Sequence, residues 1–116
     1  MPRSNPERRR FPRFPLENDL TLRRSGGDGP GVPAHTLDIS AGGCRVVSEA
    51  PLAAGTEVEL VISLGDRPIR ALGRVVYEQP LRSARFQAGV EFLRLDPENR
   101  ETLANLLRER SATVSS

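Results

Sequence analysis

The chain has 116 residues, of which 37% are hydrophobic and 28% charged, enough for one small domain with a single core. Cys44 and His35 are its single cysteine and histidine, which excludes an internal disulfide and argues against a cysteine-based metal site or a Cys–His dyad. No stretch has the apolar length of a membrane span, and the N-terminus lacks the apolar region of a signal peptide, so the sequence predicts a cytoplasmic protein.

Positive charge is concentrated at the N-terminus. The formal net charge is only +2, yet residues 1–13 contain five arginines against one glutamate. All 17 basic residues of the chain are arginines, so part of this signal reflects a bias of the whole chain. Pro12 disfavours helix, and an extended segment can present Arg9 and Arg13 together to an anionic ligand. The alternative interpretation is a flexible, solvated basic arm over 1–13.

The body of the chain alternates apolar and polar residues in a way that is typical of strands. Six segments carry this pattern, at 19–23, 34–39, 44–47, 57–64, 69–78 and 85–93. Leu37 and Ile39 are predicted to share one face of the second segment, and Gly73 to mark a bulge or bend in the fifth. Strands at this spacing, joined by short turns, predict a small antiparallel barrel.

The period changes after the last predicted strand. Asp96 can cap a helix, and Pro97 suits its first position. Three leucines, Leu103, Leu106 and Leu107, then form an apolar stripe at helical spacing, which is expected to pack on the barrel. The sequence therefore predicts a barrel with a C-terminal helix over 14–110, followed by a frayed tail at 111–116.

A second polar cluster lies at the turn between the second and third predicted strands. Asp38 and Ser40 are two residues apart, so an extended backbone places them on the same side. An Asp carboxylate can accept hydrogen bonds from N1 and N2 of a guanine, and the serine can bond the same base or a phosphate. Gly42 and Gly43 allow a sharp turn and close approach by a ligand. Taken alone, this cluster also fits an ordinary turn whose polar side chains bond their own backbone.

The two clusters together resemble the paired motif of PilZ domains, the bacterial receptors for cyclic diguanylate (c-di-GMP). Arg9-x-x-x-Arg13 is followed by Asp38-x-Ser40-x-x-Gly43, in that order and with a predicted hairpin between them. The segment 7–13, the strand pattern, the Val-Glu-Phe at 90–92 and the closing helix also fit, so the resemblance covers nearly the whole chain. It implies a mainly β fold, a six-stranded antiparallel β-barrel with a C-terminal α-helix.

The resemblance also implies a ligand-binding site. Arg9 and Arg13 are expected to grip the guanine and phosphates, while the second motif holds the other side of a base. The full set of expected c-di-GMP ligands is Arg8, Arg9, Arg10, Arg13, Asp38, Ser40, Gly42 and Gly43. Tyr77 is a further candidate, although a tyrosine packed at the barrel rim is an equal alternative. No catalytic residue, metal or cofactor is expected.

The function implied is that of a stand-alone receptor and not an enzyme. Binding of c-di-GMP is expected to order the N-terminal arm and so change a surface that an unidentified downstream protein recognises. Neither membrane insertion nor nucleic-acid binding is expected. Two alternatives stay open. A nucleic-acid-binding barrel would share the basic arm, although an aromatic content of 4% is low for base stacking. A ligand-independent PilZ-like adaptor would act through protein contacts alone.

Overall fold

Strands dominate the computed structural model, which describes residues 14–15, 18–27, 29–64 and 67–115. The elements are β1 (Phe14–Pro15), β2 (Asp19–Arg24), β3 (Val32–Ser40), β4 (Gly43–Ser48), β5 (Glu57–Leu64), β6 (Arg67–Pro80), β7 (Phe86–Leu95) and α1 (Pro97–Ser115). The predicted basic arm at 1–13 lies outside the described residues.

Six of the strands close into an antiparallel barrel. Neighbours around the barrel are β2, β3, β4, β7, β6 and β5, and β5 pairs back onto β2. The two-residue β1 pairs with β3, placing Phe14 opposite Ile39 and Pro15 opposite Asp38. The six-stranded antiparallel barrel with a C-terminal helix is therefore confirmed, and β1 is an addition that the sequence pattern did not predict.

The barrel interior is filled by alternate residues of its strands. On β5, Val58, Leu60 and Ile62 are each at most 2% exposed, as the alternation predicts. Burial of such side chains contributes about 1.5–3 kcal/mol each. Leu103 and Leu107 of α1 join the same apolar cluster, and Leu106 packs against it. The leucine stripe thus faces the barrel, which confirms the prediction for the helix.

A bulge in β3 decides which residues face outward. The pairing with β4 shifts register between Thr36 and Asp38, which leaves Leu37 as the extra residue. Thr36 and Ile39 are fully buried, whereas Leu37 is only half-buried, so the predicted shared face of Leu37 and Ile39 is wrong. Because the bulge resets the alternation, Asp38 and Ser40 lie on the outer face, on either side of the inward Ile39. The irregularity predicted at Gly73 is confirmed by a register shift between Leu72 and Gly73.

The helix is longer than predicted. The amide of Arg100 donates to the carbonyl oxygen of Asp96 at 2.9 Å, which is the first helical hydrogen bond and fits Asp96 as the cap. α1 then continues to Ser115, through residues expected to form a frayed tail. Residues 98–115 contain no glycine or proline to end a helix earlier. No helix among the described residues is both long and apolar enough to cross a membrane.

Candidate functional site

One row of residues crosses the outer face of four neighbouring strands. Asp38 on β3 pairs with Arg45 on β4, Arg45 pairs with Gly89 on β7, and Gly89 pairs with Tyr77 on β6. Directly opposed residues in a sheet project to the same face, so these four positions lie side by side. We call this set the Asp38–Tyr77 row. The residues flanking Arg45 along β4, Cys44 and Val46, point into the core instead.

Asp38 and Arg45 form a tightly bonded ion pair within the row. Nε of Arg45 donates to Oδ2 of Asp38 at 2.7 Å, and Nη2 donates to the same oxygen. The aspartate side chain is only 8% exposed, whereas the arginine side chain is 41% exposed. The hydrogen bonds that Arg45 donates to this carboxylate raise the pKa of Arg45 above its ordinary value. The guanidinium is therefore a permanent cation that is held in place and still faces solvent.

Tyr77 forms the other end of the row. Its hydroxyl lies close enough to the guanidinium to add to the raised pKa of Arg45. The hydroxyl oxygen also accepts a hydrogen bond from Nε2 of Gln87 at 3.3 Å. A Cβ added to Gly89 would lie 2.2 Å from Cε2 of Tyr77, so the ring rests directly on the glycine. The absence of a side chain at Gly89 thus gives the tyrosine ring its place beside Arg45.

The turn after Asp38 is closed by its own serine. Ser40 is 6% exposed; its Oγ accepts from the amide of Gly42 at 3.2 Å and donates to the carbonyl of Gly43 at 3.3 Å. Ser40 therefore bonds the backbone of its own turn, as the alternative from the sequence describes. Asp38 differs, because its carboxylate accepts hydrogen bonds from the side chain of Arg45.

Gly43 is required by strand packing. A Cβ at this position would lie 2.2 Å from the carbonyl oxygen of Val90 and 3.0 Å from Cα of Glu91. Both atoms belong to the backbone of β7, which cannot shift easily because it is paired within the sheet. The glycine therefore has a structural role in bringing β4 against β7, in addition to the ligand role predicted for it.

The structure brings the described members of the predicted site onto one side of the barrel. Asp38, Ser40, Gly42 and Gly43 form the end of the β3–β4 hairpin, and Tyr77 lies two strands beyond β4 in the Asp38–Tyr77 row. The four predicted arginines of the arm, Arg8, Arg9, Arg10 and Arg13, lie outside the described residues.

Arg45 is a residue of the row that the sequence motifs do not include. The turn at Ala41–Gly42 pairs Ser40 with Gly43, and counting outward along the hairpin places Arg45 opposite Asp38. The predicted turn at 40–43 is therefore the sequence signal that could identify Arg45, although the motif itself ends at Gly43.

The family model of the PilZ domain matches residues 7–109. The fold is similar to that of MotI/DgrA, the inhibitor of motility of Bacillus subtilis, with a TM-score of 0.75 and 20% identity over 91% of this chain and 52% of that chain. It is also similar to the PilZ domain of YcgR from Escherichia coli with c-di-GMP, with a TM-score of 0.71 and 14% identity over 92% of this chain and 94% of that one.

A third similar structure is the MrkH–c-di-GMP complex of K. pneumonia, with a TM-score of 0.71 and 20% identity over 91% of this chain and 52% of that chain. The chain thus spans about half the length of MotI/DgrA and MrkH. A comparison with curated protein sequences found no match. At these identities the structural likeness shows the fold, and the match over 7–109 shows the family: the chain belongs to the PilZ domain family.

Proposed function

We propose that this chain is a receptor for c-di-GMP. The ligand is held between Arg9 and Arg13 of the N-terminal arm and the Asp38-x-Ser40-x-x-Gly43 motif, with Arg8, Arg10 and Gly42 as flanking contacts. Membership of the PilZ family supports this proposal. So does the likeness to YcgR and MrkH, which were both solved with c-di-GMP.

The pairing of β1 with β3 is the observation that carries the proposal. Phe14 lies opposite Ile39, and Pro15 lies opposite Asp38. Arg13 directly precedes Phe14, and consecutive Cα atoms are about 3.8 Å apart. The chain therefore joins the end of the arginine motif directly to the strand that carries the aspartate motif. A ligand that binds beside Asp38 and Ser40 is within reach of an arginine side chain at position 13.

The chemistry of the two motifs matches the two kinds of group in the ligand. c-di-GMP carries two phosphates and two guanines. A guanidinium binds phosphate oxygens in a bidentate way, and it binds the O6/N7 edge of guanine equally well. Ordering the arm costs about 1–2 kcal/mol per backbone residue. Charge-assisted hydrogen bonds and stacking on the bases offset that cost.

The signal is the change of surface that follows from binding. In this proposal c-di-GMP orders residues 1–13 over the barrel, and a downstream protein recognises the altered surface; no bond is made or broken. Hydrogen exchange measures this step directly. Amides within 1–13 should become protected when ligand is added, and unchanged exchange at saturation would contradict the signalling step. The cytoplasmic location remains a prediction from the sequence.

Calorimetric titration with c-di-GMP tests the binding proposal. Arg9→Ala and Arg13→Ala should each cost roughly 1–3 kcal/mol, about ten- to a hundred-fold in affinity. Arg24→Ala is the matched control because Arg24 is exposed and lies on β2 opposite Val58, away from the β3–β4 hairpin. Equal binding by the wild type and Arg13→Ala would contradict the role of the arm. Failure of the wild type to bind would contradict the function.

A further inference from the structure

Arg45 is both fixed and exposed, a combination that suits a ligand contact. Asp38 anchors Nε and Nη2 of its guanidinium, and the hydroxyl of Tyr77 lies at its side. Such anchoring removes most of the freedom that a long side chain would lose when a ligand binds. The Arg45 side chain nevertheless remains 41% exposed. The guanidinium of Arg45 is therefore a planar cation that is already ordered and accessible to a ligand from solvent.

The burial of Asp38 decides which member of the pair meets a ligand from solvent. The carboxylate side chain is 8% exposed, against 41% for the arginine side chain that it binds. A molecule that approaches the outer face over the row thus meets the exposed guanidinium of Arg45 more readily than the carboxylate. A guanidinium plane stacks well on purine bases, which an ammonium group does not do.

We propose that Arg45 is a ligand-contacting residue of the c-di-GMP site, whose guanidinium plane stacks against a guanine base. Through Oδ2, Asp38 also holds this plane in position, in addition to its place in the Asp38-x-Ser40-x-x-Gly43 motif. Tyr77 borders the stacked base, and Gly89 provides the gap that lets the tyrosine ring lie beside it. This inference rests on the proposed c-di-GMP binding and adds a residue outside both sequence motifs.

Affinity measurements on Arg45 variants test the stacking contact. Arg45→Ala should weaken c-di-GMP binding about tenfold, in the range that loss of one stacked base produces. Arg45→Lys should weaken it nearly as much, since lysine keeps the charge but not the plane.

Arg23→Ala is the matched control for these variants. Arg23 also pairs across strands with a carboxylate, at 2.6 Å from Glu59, and is 48% exposed. Arg23 lies on β2 and its partner on β5, both outside the row, so removal of Arg23 should leave affinity unchanged. Wild-type affinity in Arg45→Ala, or in Arg45→Lys, would overturn the inference and leave the proposed function standing. A wild type that does not bind c-di-GMP would overturn both.

The fluorescence of Tyr77 gives a second readout that does not depend on any variant. The chain has one tyrosine and no tryptophan, so the intrinsic emission comes from Tyr77 alone. Addition of c-di-GMP should change this emission in the wild type and in Arg23→Ala, after correction for absorption by guanine. Unchanged emission under conditions where calorimetry shows saturation would overturn the placement of the base beside Arg45.

Discussion

Two arginine–carboxylate pairs on different parts of the barrel have the same chemistry and different surroundings. Arg23 pairs with Glu59 across β2 and β5, and both side chains are nearly half exposed, at 48% and 43%. Arg45 pairs with Asp38 across β4 and β3, with the carboxylate nearly buried. In both cases the register places arginine and acid directly opposite each other. The two pairs therefore share their cross-strand geometry, and burial of the carboxylate is what separates the pair at the proposed site from the surface pair.

The second pair lies on a hairpin whose turn packs closely against β7 at Gly43. Gly43→Ala should lower the free energy of unfolding by about 2–3 kcal/mol, because a Cβ there would collide with the backbone of β7. Gly29→Ala is the control, because Gly29 is not among the glycines with a positive φ and a Cβ added there would have no atom within 4 Å. Urea unfolding of both variants makes the comparison. Equal stability of the two variants would contradict the packing role of Gly43 and remove this difference between the two regions.

Removal of each carboxylate compares the pairs directly. Asp38→Ala should lower the free energy of unfolding by about 1–2 kcal/mol, because it removes a nearly buried acceptor together with its charge-assisted hydrogen bonds. Glu59→Ala should have a much smaller effect, because solvent screens an exposed pair. Urea unfolding at neutral pH is the measurement. If Glu59→Ala were the more damaging change, burial would not be what separates the pairs.

The smallest expected effect is the pH dependence of the exposed pair. The hydrogen bond from Arg23 lowers the pKa of Glu59 below that of a free glutamate. A group with a lowered folded-state pKa adds stability above its unfolded-state pKa and loses it as the pH falls through the folded value. The small difference in melting temperature between the wild type and Glu59→Gln should therefore disappear at acid pH, and also at high salt.

Glu49→Gln, at another exposed position, controls for the loss of one surface charge. A difference between the wild type and Glu59→Gln that persisted unchanged below the lowered pKa of Glu59 would show that its origin is not this ion pair.

The barrel and its helix were predictable because their signals are local. Alternation on β5 and the leucine spacing on α1 each reflect burial of one face, which a sequence pattern records directly. The bulge at Leu37 is different, since it depends on pairing with β4 and inverts the alternation that the pattern implies. The end of the helix was misplaced because residues 111–116 look polar and weak in helix propensity but contain no residue that stops a helix.

The proposed site was predictable mainly as far as its sequence motif extends. Asp38, Ser40 and Gly43 are close in sequence and were found together. Gly89 acquires its position through the pairing of β4 with β7, which no local pattern reveals, whereas the position of Arg45 opposite Asp38 follows from the turn at 41–42. Tyr77 was named as a candidate, but its contact with Arg45 depends on the same pairing.

Amide chemical shifts recorded during a titration with c-di-GMP test whether the ligand binds over the Asp38–Tyr77 row. Ligand should shift the amides of 38–45, Tyr77 and Gly89, and leave those of 21–24 and 58–61 on β2 and β5 in place. Spectra that stay unchanged at saturating c-di-GMP, or shifts confined to the strands that carry Arg23 and Glu59, would contradict binding over the row.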